Sequence, residues 1–263
     1  MDNNKDLLNQ FIYPLVAVRD GIVFPNTENV LVFGRQKSIE SIQEALKREK
    51  KMVLVMQKNS ALDDPKRQDL YDIGVLVSVE KTVVGEKGEI TALVKGREKV
   101  KLSEIVKDEP YLEVKIEQIQ DDFVDDDEIS AMVKHISSQV KKAINLGKTV
   151  DFVFLMNILN ISTPQDFSYQ VAMILDIKGD QKQELLEESS LKIRLTKEVD
   201  YINREIKVLE IEQNLTSKTQ QKFERNMKES FLREKMKTIE EELGNKGEDK
   251  EIDEYREKIE KVK

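Results

Sequence analysis

The stretch IGVLVSVEKTVV (Ile73–Val84), followed by GEITALVKG (Gly88–Gly96), indicates how the first half of the chain folds. Both segments are rich in β-branched residues, and the glycines between them predict a tight turn. KVKLSEIV (Lys99–Val106) comes next, after the polar residues Lys95–Glu98, which predict a second turn. This layout is typical of consecutive antiparallel hairpins.

Shorter apolar runs on both sides of the hairpins extend the β-rich pattern. One helix interrupts it, capped by Ser38 and carrying apolar residues at three- and four-residue spacing. Residues 1–120 are therefore expected to form a β-rich domain, a curled sheet or partly open barrel. The additional strands are expected at Ile12–Val18, Val30–Gly34, Met52–Gln57 and Tyr111–Ile119.

An acidic run, DDFVDDDE (Asp121–Glu128), separates this domain from the second half. A calcium-binding loop would need Gly at its sixth position and Glu at its twelfth, and no offset provides both. The run is therefore predicted to be a solvated linker, exposed and mobile, whose last acids favour the next helix N-terminus.

Residues 129–190 carry the signals of a helical bundle. An apolar stripe that begins at Ile129 has helical spacing, and Gly147 can end that helix. Val150–Ile161 is apolar nearly all round, as in a buried helix. Ser162-Thr163-Pro164 predicts the next helix start, and Asp180 with Gln183 predicts a capping box.

No proline or glycine interrupts residues 191–243, so Leu191–Gly244 is predicted to be one very long helix, followed by a charged helical tail at 245–263. The FLREKMKTIEEELG segment near its end is half charged and has little around it to pack on. Its large apolar residues are candidates for contact with a polypeptide or another subunit, or for plain packing on a neighbouring helix. These candidates are Met227, Phe231, Met236 and Ile239.

Composition restricts the function classes. The chain has no cysteine, which suits a reducing cytoplasm, and neither a signal peptide nor a run of about 20 apolar residues appears. The GKT at Gly147–Thr149 lacks the earlier glycine of a phosphate-binding loop, since Lys142 stands there. His135 is the only histidine. No catalytic, cofactor-binding or metal-binding residues are therefore predicted.

The ordered set of short motifs resembles the N-terminal region of the Lon family of ATP-dependent proteases. Pro14-Leu15, Val23-Phe24-Pro25 and Tyr71–Gly74 stand in the family's order near the start. Phe231–Glu234 and Glu242–Gly244 match the block that precedes the family's ATPase module. Asn26 stands where the family usually has Gly, and Asn tolerates the same left-handed turn.

The resemblance implies an α+β protein with a PUA-like N-terminal domain, then an all-α bundle ending in the long helix. It implies recognition of unfolded or tagged polypeptides for an ATP-dependent Ser–Lys protease that degrades misfolded and regulatory proteins. ATP, Mg²⁺ and the protease dyad are expected beyond residue 263, in a homohexameric parent. Self-association through the long helix and weak DNA binding are further expectations.

A stand-alone binding module is the alternative. Its barrel-like domain would bind nucleic acid or a protein, and the long helix would act as a coiled-coil arm. The net charge of −8 argues against nucleic acid as the main partner. The candidate basic patch would consist of Lys95, Arg97, Lys99 and Lys101.

Overall fold

The computed structural model describes residues 11–122, 126–150, 158 and 163–261, apart from the side chains of residues 244–250. Six strands come first, with one helix and a short 3₁₀ turn (Arg67–Asp69) among them, and helices follow. The strands are β1 Ile12–Val18, β2 Glu28–Phe33, β3 Lys51–Met56, β4 Ile73–Val84, β5 Ile90–Lys107 and β6 Leu112–Gln118. The helices are α1 Gln36–Lys47, α2 Asp127–Asn145, α3 Pro164–Ile174, α4 Gly179–Glu187 and α5 Leu191–Glu260.

The strands pair in a ring with one strand added outside it. β1 pairs in parallel with β3 and antiparallel with β6, while β4 joins β3 to β5. The second half of β5 pairs with β6, which closes the ring, and the first half of β5 also carries β2. Apolar side chains from this ring form a buried core around residues such as Leu15, Leu102 and Val114.

β5 differs from the prediction because it is one strand of 18 residues. The turn predicted at Lys95–Glu98 is wrong, since the strand continues through Gly96 under a close backbone crossing. A Cβ at Gly96 would lie 2.0 Å from the carbonyl oxygen of Phe24. The glycine marks this close approach, which sequence alone does not separate from a turn signal.

The start of α1 also differs from the prediction. Arg35 is its N-cap residue, and Ser38 lies inside the helix, where its side chain is buried. Before the helix, Asn26 adopts φ of +57°, the left-handed turn expected for this position.

The helix ends follow local chemistry. Asp126 caps α2 by accepting the backbone N–H of Ile129 at 2.7 Å, and Gly147 follows the helix with φ of +109°. Thr163 caps α3, with proline at the first helical position as predicted. The helix predicted at Val150–Ile161 lies outside the described residues, except for Val150, which is not helical, and the buried, helical Ile158.

α4 begins before the predicted capping box. Its first turn is closed by Gln181, whose side-chain oxygen accepts the backbone N–H of Lys178 at 3.1 Å. The capping box predicted from Asp180 and Gln183 is therefore wrong. Gln183 is buried and donates instead to the backbone oxygen of Ile73 on β4 at 2.9 Å.

The long helix predicted from Leu191 is present, and α5 runs without a break for 70 residues, past the end predicted at Gly244 and into the predicted helical tail. The described residues up to Lys207 form one compact unit, and those from Val208 onward form a second. A sheet domain followed by helices, one of them very long, is thus confirmed, while the finer domain limits stay predictions. Among the described helices, none has a stretch long and apolar enough to cross a membrane.

Candidate functional site

Three strands expose an apolar face on one side of the sheet. Val30 and Val32 on β2 are 66% and 67% exposed. Their cross-strand partners on β5 are Leu93 and Thr91, and Thr91 in turn pairs with Val83 of β4, which is also 67% exposed. Residues that face each other across a ladder point to the same side of the sheet. These five residues therefore form one surface, which we call the valine face.

The opposite side of the same strands is buried. Phe33, Ile90, Ala92 and Val94 are each at most 5% exposed. Sequence reasoning missed the valine face because Val30–Gly34 is apolar at every position before the glycine. A strand without alternation does not reveal which of its two sides faces water.

β2 lies at the edge of the sheet. β5 is its only neighbour among the described strands. Just before β2 begins, the Gly96 N–H donates to the carbonyl oxygen of Thr27 at 2.9 Å. Hydrogen-bonded pairs alternate along an antiparallel ladder, so bonds to β5 continue at every second residue after Thr27. The backbone N–H and C=O groups of Val30 and Val32 consequently point away from β5.

A cleft of about 530 Å³ runs beside β2. One wall is Ala17–Asp20 at the end of β1, and the other is Leu31–Arg35 together with Ser38. Of the residues that the structure describes, none from β5 lines it, which places the cleft on the other side of β2. The free edge of β2 therefore has open space next to it.

The four candidate residues on α5 are exposed. Met227, Phe231, Met236 and Ile239 lie between 54% and 63% exposed. At about 100° per residue, Met227 and Phe231 are some 40° apart around the helix, but Phe231 and Met236 are about 140° apart. The structure therefore divides the four between two faces.

Sequence reasoning overlooked Leu232, which joins the second of these faces beside Met236 and is 55% exposed. Charged groups surround both faces. The Lys235 ammonium lies 5.2 Å from the centre of the Phe231 ring, and Arg233 pairs with Glu229 at 2.8 Å. Each face is thus a narrow apolar strip on a charged helix.

A buried ion cluster joins the sheet to the helices of the first unit. Its centre is Asp121, whose side chain is 6% exposed. Asp121 Oδ2 accepts hydrogen bonds from Arg194 Nη1 at 2.7 Å and from the Tyr169 hydroxyl at 2.5 Å, and Oδ1 accepts one from Lys99. The prediction that Asp121 belongs to a solvated linker is therefore wrong, because three donors replace its water.

The cluster continues along α5 to Glu198. Arg194 Nε donates to Ser168 Oγ at 2.8 Å, and the Ser168 hydroxyl donates to Glu198 Oε1 at 2.6 Å. Burial raises the pKa of Glu198 to about 8. Burial would also raise the pKa of Asp121, but the Arg194 guanidinium and the bonds from Lys99 and Tyr169 hold it below its ordinary value.

Perturbed pKa values often mark active sites, and also structural ion networks. Arg194, Ser168 and Glu198 are each 0% exposed, so a substrate cannot reach them. The cluster therefore has a structural role: it holds the helices of the first unit against the sheet.

Three of the four basic residues predicted to form a nucleic-acid patch are paired with acids or buried. Lys95 pairs with Glu28 at 3.0 Å, and Arg97 pairs with Glu80 at 3.1 Å. Lys99 is buried against Asp121. Neutralised or buried cations offer little to a phosphate backbone, and the exposed Lys101 by itself does not make a basic patch, so this surface does not favour a nucleic-acid site.

These features define a class of protein, a binding module in which a sheet with an open apolar edge is followed by helices. Residues 12–204 match the family model of the ATP-dependent protease La (LON) substrate-binding domain. The chain belongs to the Lon protease family.

Curated relatives extend the similarity along the chain. It is 33% identical to a Lon protease of Aquifex aeolicus over 256 residues, covering 95% of the chain and 32% of the relative. A Lon protease of Bacillus thuringiensis is also 33% identical, with 96% of the chain and 32% of the relative covered. The chain thus spans about a third of the length of these relatives.

Solved structures show the same fold. The N-terminal domain of Mycobacterium avium complex Lon protease superposes with a TM-score of 0.58 at 17% identity, covering 73% of this chain and 98% of that one. A Lon N-terminal domain protein from Xanthomonas campestris gives 0.51 at 13% identity, covering 72% and 98%.

Proposed function

We propose that this chain is the N-terminal substrate-recognition and assembly region of an ATP-dependent serine protease that degrades misfolded and regulatory proteins. The match of residues 12–204 to a substrate-binding domain carries the proposal. The valine face and the apolar strips of α5 support it, because exposed apolar surface is what an unfolded chain can bind.

Several finer features belong to the same proposal. The β-rich region is a PUA-like, partly open barrel, an assignment that the ring of strand pairing supports. The parent protein is a cytoplasmic homohexamer, ATP and Mg²⁺ bind outside this chain, and Met227, Phe231, Met236 and Ile239 contact polypeptide or a neighbouring subunit. DNA binding is weak, since Lys95 and Arg97 are already paired with acids.

Binding to an unfolded protein tests the proposal. The probe is a small protein reduced and alkylated with a neutral reagent, so that it stays unfolded without added charge. Its matched control is the same protein in its native, disulfide-bonded form. We expect the chain to bind the unfolded form at least tenfold more tightly, as measured by fluorescence anisotropy. Equal binding of both forms, or binding of neither, would overturn the proposal.

A further inference from the structure

We propose that β2 recognises substrate by strand addition, in which an extended apolar segment of an unfolded polypeptide pairs with its free edge. This inference rests on the proposed function and names the surface and the mode of binding. Alternate side chains of the added segment would lie next to the valine face and next to the cleft beside β2.

The backbone of β2 supplies the hydrogen-bonding groups. The N–H and C=O groups of Val30 and Val32 point away from β5, and no other described strand pairs with them. An extended polypeptide presents the same groups at the same spacing, so each can satisfy the other. Such pairing uses only main-chain atoms, which lets one edge bind many different sequences.

The edge also lacks the features that protect other sheet edges from pairing. Natural edge strands usually carry lysine, proline or a bulge against an incoming strand. β2 reads ENVLVF, with neither lysine nor proline, and its register with β5 is regular over all six residues. An unprotected apolar edge of this kind is a hazard unless it has an occupant.

The side chains around the edge favour a mostly apolar occupant. None of the five residues of the valine face is ionisable. Two charged positions border it on the same side of the sheet: the exposed Lys81, which pairs with Leu93 across the ladder, and Glu28, whose carboxylate is paired with Lys95 at 3.0 Å. In the cleft, Arg19 is paired with Asp63, and Arg35 donates to the backbone oxygen of Ala17. Asp20 also lines the cleft and is exposed, so a cationic side chain has one carboxylate within the cleft, while the apolar lining residues, Leu31 and Val32 among them, let Val, Ile or Leu bury apolar area.

Size argues against a second copy of this chain as the occupant. A strand of six residues is about 20 Å long, and the valine face adds five side chains. A stable dimer buries at least about 1,200 Å² in total, more than one short ladder provides. A transient strand from an unfolded polypeptide needs no such area.

Main-chain methylation of a peptide tests strand addition without altering the protein. The probe is a short fluorescein-labelled peptide of alternating valine and threonine with a neutral solubilising tail. Its control has the same sequence, N-methylated at two consecutive central residues, which removes donors from both edges of the peptide. We expect methylation to weaken binding to the unaltered chain at least tenfold. Equal binding of the two peptides would overturn strand addition.

A pair of variants tests the edge from the protein's side. Val30→Pro removes an outward-pointing N–H and leaves the ladder to β5 intact, because that N–H takes no part in the ladder. Val30→Thr keeps both the N–H and the side-chain shape. We expect the proline variant to weaken peptide binding at least tenfold and the threonine variant less than threefold. Circular dichroism checks the fold, and if the proline variant does not fold, the methylated peptide decides.

The remaining outcomes separate the two proposals. If the unfolded protein binds while methylation and Val30→Pro change nothing, only strand addition fails. If neither peptide nor unfolded protein binds, the proposed function fails as well. A dimer in sedimentation that Val30→Pro dissociates, and that the peptide does not displace, would assign the edge to a second copy and overturn the proposal.

Discussion

Asp121 Oδ2 and Arg194 Nη1 lie 2.7 Å apart although 73 residues separate them in the chain. Asp121 follows the last strand of the sheet, whereas Arg194 belongs to the first turn of α5. Both side chains are buried, at 6% and 0% exposure. This pair therefore anchors the start of the long helix to the sheet domain.

Arg194→Met should destabilise the first unit strongly. The substitution removes one of the two positive charges that compensate the buried carboxylate of Asp121. Breaking a buried ion pair costs about 3–5 kcal/mol. Lys192→Met is the matched control, since Lys192 pairs with Glu128 where both side chains are about half exposed. Such exposed pairs contribute at most about 1 kcal/mol. The measurement is the free energy of unfolding in urea; a similar loss in both variants would contradict the role of Asp121–Arg194.

The free energy of unfolding should fall as pH rises from 5 to 8. The pKa of Glu198 is about 8 in the folded protein, against an ordinary value of about 4.3, so the folded state holds a proton that the unfolded state has released. Each pH unit in this window then lowers stability by up to about 1.4 kcal/mol. The lowered pKa of Asp121 contributes stability that is lost only below this window, so it does not reverse the trend.

Glu198→Gln is the control for this pH dependence. Glutamine resembles the protonated acid in shape and does not titrate, so the variant should lose most of the slope between pH 5 and 8. We expect it to match the original chain near pH 5 and to exceed it in stability at pH 8. An unchanged slope in urea unfolding across this range would assign the pH dependence to other groups.

Gly96→Ala should destabilise the sheet by about 1–3 kcal/mol or more. The added Cβ would lie 2.0 Å from the carbonyl oxygen of Phe24, and backbone must move to make room. Gly34→Ala is the control, because a Cβ there meets nothing within 4 Å. The expected change in that control is a slight gain in melting temperature or none. Equal melting temperatures for the two variants would show that the crossing at Phe24 relaxes freely.

Phe231→Asp combined with Met236→Asp should abolish any self-association through α5 while leaving the melting of the β-rich region unchanged. The pair removes one large apolar group from each exposed face of the helix, and burial of such a side chain is worth about 1.5–3 kcal/mol. Sedimentation at high protein concentration measures the association. Gln221→Asp is the control, because Gln221 lies in the stretch Thr216–Lys222 of the same helix, which has no apolar side chain. A double variant that associates like the original chain would place the contact elsewhere.

The positions of most strands and helices were predictable because their signals are local. The long helix follows from the missing prolines and glycines between residues 191 and 243, and Thr163-Pro164 marks a helix start within two residues. The left-handed turn at Asn26 is likewise a property of one residue. The spacing of apolar residues, the helix caps and the turn residues each act over a few positions. The sequence by itself therefore determined these elements.

Only the tertiary structure decided which residues meet. In the sequence, Asp121 is one acid in an acidic run. Only the folded structure brings Lys99, Tyr169 and Arg194 into hydrogen-bonding contact with it. The sequence alone would assign Val30 and Val32 to the core. In the structure, the pairing of β2 with β5 places their side chains on the exposed side and their backbone at the edge of the sheet. Burial and strand pairing depend on contacts between residues far apart in the chain, and the local spacing of apolar residues does not predict those contacts.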